Sequence, residues 1–262
     1  MGNKGSKKRS NAFNFAAFLC FSCALILIIL LRMFQIEEVV EWYNRYTETL
    51  ASYEAWIKQN GATLLSAHII LVNFAIKAYI PWVPISFLMV ISGALFEWYI
   101  AIIINVLGMV ILFSMKFLYG RTYGGGNTEK ILSHYDKAHT FIDKGKLGSR
   151  VVLFFARLTP GITTGAVSQL YGTTDISMGQ FLLISLAGFS YKTFSYTLIG
   201  VNVFDPMSAS FIIPFVFLFL FTGIALLMLN GVITVTTDTI RFAKKLKRKQ
   251  KNKNIKTYKY KD

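Results

Sequence analysis

The sequence predicts an all-α polytopic membrane protein: about four transmembrane helices plus two opposed re-entrant helical hairpins that form an inverted repeat. Three observations predict it. Hydrophobic residues fill 54% of the 262 positions and charged residues only 16%, with a mean hydropathy of +0.48, whereas a soluble domain carries roughly 25% charge to coat its surface. Uncharged stretches long enough to cross a bilayer recur along the chain. Two further apolar stretches are interrupted by proline, at Pro81-Trp-Val-Pro84 and Pro160-Gly161, where no straight helix continues.

The first element is a basic start, Lys4 to Arg9, followed by no charge until Arg32. The apolar core is longer than that of a cleavable leader and lacks a small-residue cleavage site, so Ala12–Leu31 reads as a retained transmembrane helix. Cys20 and Cys23 lie inside it and read as small apolar helix residues, with no redox or metal chemistry. Residues 36–60 carry five Glu against Arg45 and Lys58, interleaved with Trp42, Tyr43, Tyr46, Tyr53 and Trp56. Aromatics mixed with charge at helical spacing mark a helix lying in the membrane interface.

Next come two short apolar arms, Ala62–Tyr79 and Ile85–Phe96, around the Pro81–Pro84 turn. Each is too short to cross comfortably, since a span takes about 20 residues. They read as a re-entrant hairpin, followed by a span from Trp98 to Tyr119. Residues 121–150 are polar, with six Lys and Arg against three acids, and carry Gly124-Gly-Gly126. His134 and His139 flank Asp136 here and read as surface residues. Val151–Gly172 repeats the pattern of short arms, with Arg157 three residues before Pro160. Met178–Gly200 and Ser210–Ile233 read as full spans. The last 22 residues hold eleven Lys and Arg against one Asp, a tail suited to anionic lipid on the cytoplasmic side. Counting crossings from this end places every basic segment, and both termini, in the cytoplasm of a multi-pass cell-membrane protein. The expected divisions are 1–60, a core of 61–200 with repeats at 61–121 and 145–200, a last span at 201–240, and the tail at 241–262.

The repeat rests on spacing. Lys77 precedes Pro81 by four residues and Arg157 precedes Pro160 by three. Gly93 to Gly108 is fifteen residues and Gly172 to Gly188 sixteen; Gly108 to Gly120 and Gly188 to Gly200 are both twelve. Inverted repeats with broken helices mark many secondary transporters.

These residues resemble a known family. Phe155-Ala-Arg157-Leu-Thr-Pro160-Gly161, Tyr171-Gly172, Phe181, Gly188, Tyr196 and Gly200 resemble the second half of the VTT domain of the DedA superfamily, also called SNARE-associated Golgi proteins. Pro84, Ser92-Gly93-Ala-Leu-Phe96, Gly108 and Tyr119-Gly-Arg121 resemble its first half. The chain departs from the pattern at Glu97, at Tyr171 and around Thr163-Thr164. The resemblance implies two opposed re-entrant loops and lipid translocation, of phospholipid or of an isoprenoid phosphate carrier, with proton coupling in some members.

The charged residues give this expectation chemistry. An Arg, Lys or Asp at a helix centre costs about 2.5–3.5 kcal/mol on insertion scales, so Lys77 and Arg157 need partners. Pairing with Glu97, Asp175 or carbonyl groups would make them structural. Alternatively Arg157, Lys77 and Lys192, with the helix ends after Pro84 and Pro160-Gly161, form a phosphate site, because a guanidinium fork and free N–H groups suit phosphate oxygens. Glu97 and Asp175 are then candidates for a coupling proton, and Gly93, Gly108, Gly172, Gly188 and Gly200 are structural. The expected partners are membrane lipids, anionic or phosphorylated, with no nucleic acid, cofactor or metal; homo-oligomerisation stays open. Two other readings stand beside this one. A proton-coupled small-solute or ion transporter would use the same charges, and a membrane scaffold without transport would need none of them. An enzyme would need a nucleophile with a base, or a metal cluster, and His68 is the lone histidine at membrane depth.

Overall fold

The computed structural model describes residues 2–33, 37–80, 84–133, 146–159, 163–228 and 230–231. Nine helices carry the described chain: α1 Gly2–Met33, α2 Glu37–Gly61, α3 Leu64–Tyr79, α4 Ile85–Leu95, α5 Trp98–Ser133, α6 Lys146–Leu158, α7 Thr164–Gly172, α8 Met178–Val201 and α9 Ala209–Met228. Among the described residues three helices are long and apolar enough to cross a bilayer: Asn11–Met33 of α1, Trp98–Tyr123 of α5, and α9. The 24 residues of α8 reach about 36 Å at 1.5 Å per residue, but Ser185, Thr193, Ser195 and Thr197 on its buried side make it less apolar. The bundle is the expected polytopic all-α architecture.

Local chemistry explains the breaks. At Gly61 the chain turns by 85° from α2 into α3, and the Thr63 hydroxyl accepts from Ser66 N to cap the new helix. Pro84, extended at φ −60° and ψ 139°, starts α4, where its missing N–H costs nothing. Thr163 and Ser177 start α7 and α8. One expectation changes. The polar stretch after Arg121 opens as helix, and α5 runs through Gly124–Gly126 to Ser133. The α-helical hydrogen-bond ladder continues there despite three residues of poor propensity.

Close glycine contacts hold the two halves together. A Cβ on Gly93 of α4 would sit 2.2 Å from the Thr197 carbonyl oxygen of α8, and one on Gly200 of α8 would sit 2.1 Å from that of Val90 in α4. The same happens between α7 and α5: Gly172 would meet the Phe117 carbonyl at 2.2 Å, and Gly120 that of Gln169 at 2.1 Å. Thus the second arm of each hairpin packs backbone-to-backbone on the long helix of the other half. Gly108 and Gly188 receive the first arms, through Phe74 of α3 and through Phe154 and Arg157 of α6. The glycines that align in the sequence occupy equivalent contacts in space.

These contacts sort the helix ends onto two faces. On one, Arg121 at the end of the α5 span donates to the carbonyls of Gly172, Thr174 and Ile176. On the other, Gly61 lies against Leu95, and Tyr43 of α2 donates to Asp205 Oδ1 at 2.6 Å. Burial, and then the bond to Asp205, push the Tyr43 phenol up to about 12. The outer pair, α1 and α9, pack through Ala24, Ile212 and Val216 and run antiparallel, with Asn230 bonded to Asn14 at 2.8 Å.

Candidate functional site

Phenylalanine and tyrosine build the floor of the site. Phe113 and Phe117 of α5, Phe181 of α8 and Tyr171 of α7 are all buried, with Phe117 stacked on Phe181 at 4.5 Å. An apolar α5 face meets an apolar α8 face here because Gly120 and Gly188 let the intervening arms come close.

Arg157 sits on this floor. It occupies the last turn of α6 and is 1% exposed, so its charge is fully withdrawn from solvent. Its Nε donates to Ser185 Oγ at 3.2 Å, one terminal nitrogen to the Thr164 carbonyl at 2.9 Å and the other to Ser168 Oγ at 2.7 Å. The guanidinium carbon lies 4.2 Å above the Phe113 ring and 5.5 Å from that of Phe181, close enough for cation–π attraction. Among the described residues the one ion pair is Lys58 with Glu54. Arg157 is therefore stabilised by neutral acceptors and rings, and no described carboxylate neutralises it. Three of its five N–H donors are occupied by described protein groups.

Further cations approach the same place. Lys192 of α8 donates to the carbonyls of Arg157 and Thr159 at 2.8 and 3.4 Å, which ties off the end of α6. Lys116 of α5 reaches the start of α7, its Nζ 3.7 Å from where a Cβ on Gly165 would lie. Lys77, half-buried in the last turn of α3, is within electrostatic reach of Lys116. The first turn of α7 has no side-chain cap from Thr163, so its N–H groups end beside Lys116 and Arg157.

The sequence-predicted residues separate into two sets. Arg157, Lys192 and Gly188 come together in the core of the bundle; Gly93, Gly108, Gly172 and Gly200 make the separate helix contacts described above, and Lys77 stands at the edge. Pro84 is exposed at the start of α4; Pro160 and Gly161 lie outside the described residues, as do His134, Asp136 and His139. Glu97 and Asp175 are exposed, one just before α5 and the other just before α8, at the ends of the bundle and away from the Arg157 guanidinium contacts. Lys116 is the residue that sequence reasoning passed over. Its signal was present, as a lone cation in an apolar span.

A second polar centre shows how the halves correspond. Asn105 is three residues before Gly108, as Ser185 is before Gly188. Asn105 is fully buried and donates to the Met89 carbonyl at 3.2 Å and to Thr197 Oγ1 at 2.8 Å. Its Oδ1 has no hydrogen-bond partner among the described residues. Where Ser185 meets a cation, Asn105 meets the opposite half.

No group of three or more His, Cys, Asp or Glu capable of holding a metal occurs among the described residues. Residues 83–202 match the family model of the VTT domain. No curated protein and no solved structure matches the chain. The matched region begins one residue before Pro84 and ends one residue after α8, so it holds α4 to α8 and the whole Arg157 site. Residues 83–202 of this multi-pass membrane protein thus match the VTT domain, the domain of the DedA/SNARE-associated family.

Proposed function

We propose that this protein moves a phosphorylated lipid, of the isoprenoid phosphate or phospholipid class, between the leaflets of the cell membrane. Its termini face the cytoplasm, as the +15 net charge and the basic tail favour. The observation that carries the proposal is Arg157: a buried guanidinium with no described carboxylate partner, beside the uncapped first turn of α7 and within a cluster of lysines. A charge kept at membrane depth for structure alone is best served by an opposite charge. A cationic site with none is best matched to an anion that arrives and leaves. Phosphate suits it because a guanidinium, which keeps two N–H groups beyond the three described bonds, and the N–H groups of a helix start are donors that phosphate oxygens accept from. Lys116 and Lys77 extend the positive potential toward α3, and any coupling proton falls to Glu97 and Asp175, which water reaches at the two ends.

Reconstitution tests this reading. Vesicles containing the purified protein and a head-group-labelled phosphorylated lipid should lose protection of the inner-leaflet label much faster than protein-free vesicles. Equal rates, with the protein shown to be inserted, would reject it.

A further inference from the structure

Beyond the Arg157 site, a cleft of about 490 Å³ opens between the α2–α3 corner, the end of α4 and the first half of α5. Its walls are apolar: Ala67 and Leu71 of α3, Leu95, and Ile100, Ile104 and Leu107 of α5. Its mouth is not, because Lys58, His68 and Glu97 line it as well. From Glu97 to Leu107 the α5 wall descends about 15 Å at 1.5 Å per residue. That is half of the roughly 30 Å hydrocarbon core, the depth of one leaflet.

We propose that this cleft holds one chain of a zwitterionic aminophospholipid from the leaflet on the α2 side, with its phosphate on Lys58 and its amine on Glu97. The apolar depth fixes the occupant as a lipid chain. The charges fix the head group. Lys58 is paired with Glu54 at 2.7 Å and keeps two more N–H donors for a phosphate. Glu97 has no ion pair among the described residues, so beside the Lys58–Glu54 pair the mouth holds one carboxylate without a cation. That carboxylate attracts an amine and repels a head group that is only anionic. His68 Nδ1 donates to the Leu64 carbonyl at 2.8 Å, which holds the ring against its own helix. The preference is opposite to that of the Arg157 site and does not depend on it.

Native mass spectrometry of the full chain, released from vesicles of equal phosphatidylethanolamine and phosphatidylglycerol, tests the proposal without any transport assay. The wild type should retain one phosphatidylethanolamine in preference to phosphatidylglycerol by about tenfold. Glu97→Gln should abolish that preference while a lipid is still bound, and Leu107→Trp should reduce retention of both. Ile103→Trp, on an exposed part of α5, should leave retention unchanged and shows that an added indole does not unfold the bundle. Preference for phosphatidylglycerol, retention of detergent alone, or unchanged retention in Leu107→Trp would each overturn the assignment. Because leaflet exchange is not read, its failure would leave the Arg157 proposal standing, and the reverse.

Discussion

At the scale of single residues, Arg157 depends on hydroxyl groups that hydropathy counts as minor. Ser168 and Ser185 each accept one of its N–H groups within a site closed to solvent. Hydrogen bonds to charged groups contribute about 1.5–3 kcal/mol. Ser168→Ala should therefore lower the stability of the detergent-solubilised protein by about 2 kcal/mol, and Ser185→Ala, whose bond is longer, by less. Thermal unfolding of the two variants beside Ser190→Ala, an exposed α8 serine bonded only to its own helix, reads the difference. Tyr43 gives a pH-dependent counterpart. Its neutral phenol is favoured in the folded protein, with a value of about 12 against the usual 10. The stabilisation is thus complete below pH 10 and is lost as pH rises from 10 toward 12. Tyr43→Phe should flatten the loss of stability across that window, as followed by unfolding midpoints at successive pH values.

At the scale of elements, the glycines decide which helices approach. A Cβ on Gly93, Gly120, Gly172 or Gly200 meets a backbone oxygen at 2.1–2.2 Å, and backbone, unlike a side-chain tip, cannot swing aside. Overpacking costs about 1–3 kcal/mol, and these four Gly→Ala variants should fall at or above the top of that range. Gly179, with nothing within 4 Å of its Cβ position, is the control. Its alanine variant should be neutral or gain up to about 1 kcal/mol from helix propensity. Melting temperatures of the five purified variants check this, and a stable Gly93→Ala would contradict the crossing. Much of this level was legible in the sequence. Proline breaks and apolar arm lengths placed α3, α4 and α7 to within a few residues, and the glycine spacings that aligned the halves are the contacts that join them. The continuation of α5 past Gly124 was not legible, because composition there points to a linker. Nor was the surrounding of Arg157, since its acceptors come from three other positions and nothing local marks Ser185 or Ser168 as partners. Glu97 and Asp175 were candidate partners for the buried cations Lys77 and Arg157, but helix geometry carries them to the ends of the bundle.

At the scale of the whole molecule, the pairing of helix ends requires two faces. Gly61, Leu95, Gly200 and Asp205 share one; Arg121, Gly172 and Thr174 share the other. In a chain freed of Cys20 and Cys23, single cysteines at Gln59 and Thr173, both exposed, should react with a membrane-impermeant maleimide from opposite sides. Labelling of both from one side would break the inverted arrangement.

The proposed lipid movement rests on whether the buried cation meets the lipid or only braces the fold. The deciding measurement is leaflet exchange of a labelled phosphorylated lipid by Arg157→Ala and Arg157→Lys in proteoliposomes, after each variant is shown to insert and to remain monodisperse in detergent. If the guanidinium binds the lipid phosphate, Arg157→Ala loses most of the exchange. Arg157→Lys is then impaired as well, because an ammonium keeps the charge but not the planar fork. Wild-type exchange by a stable Arg157→Ala protein would contradict a phosphate-binding role and make Arg157 a purely structural residue.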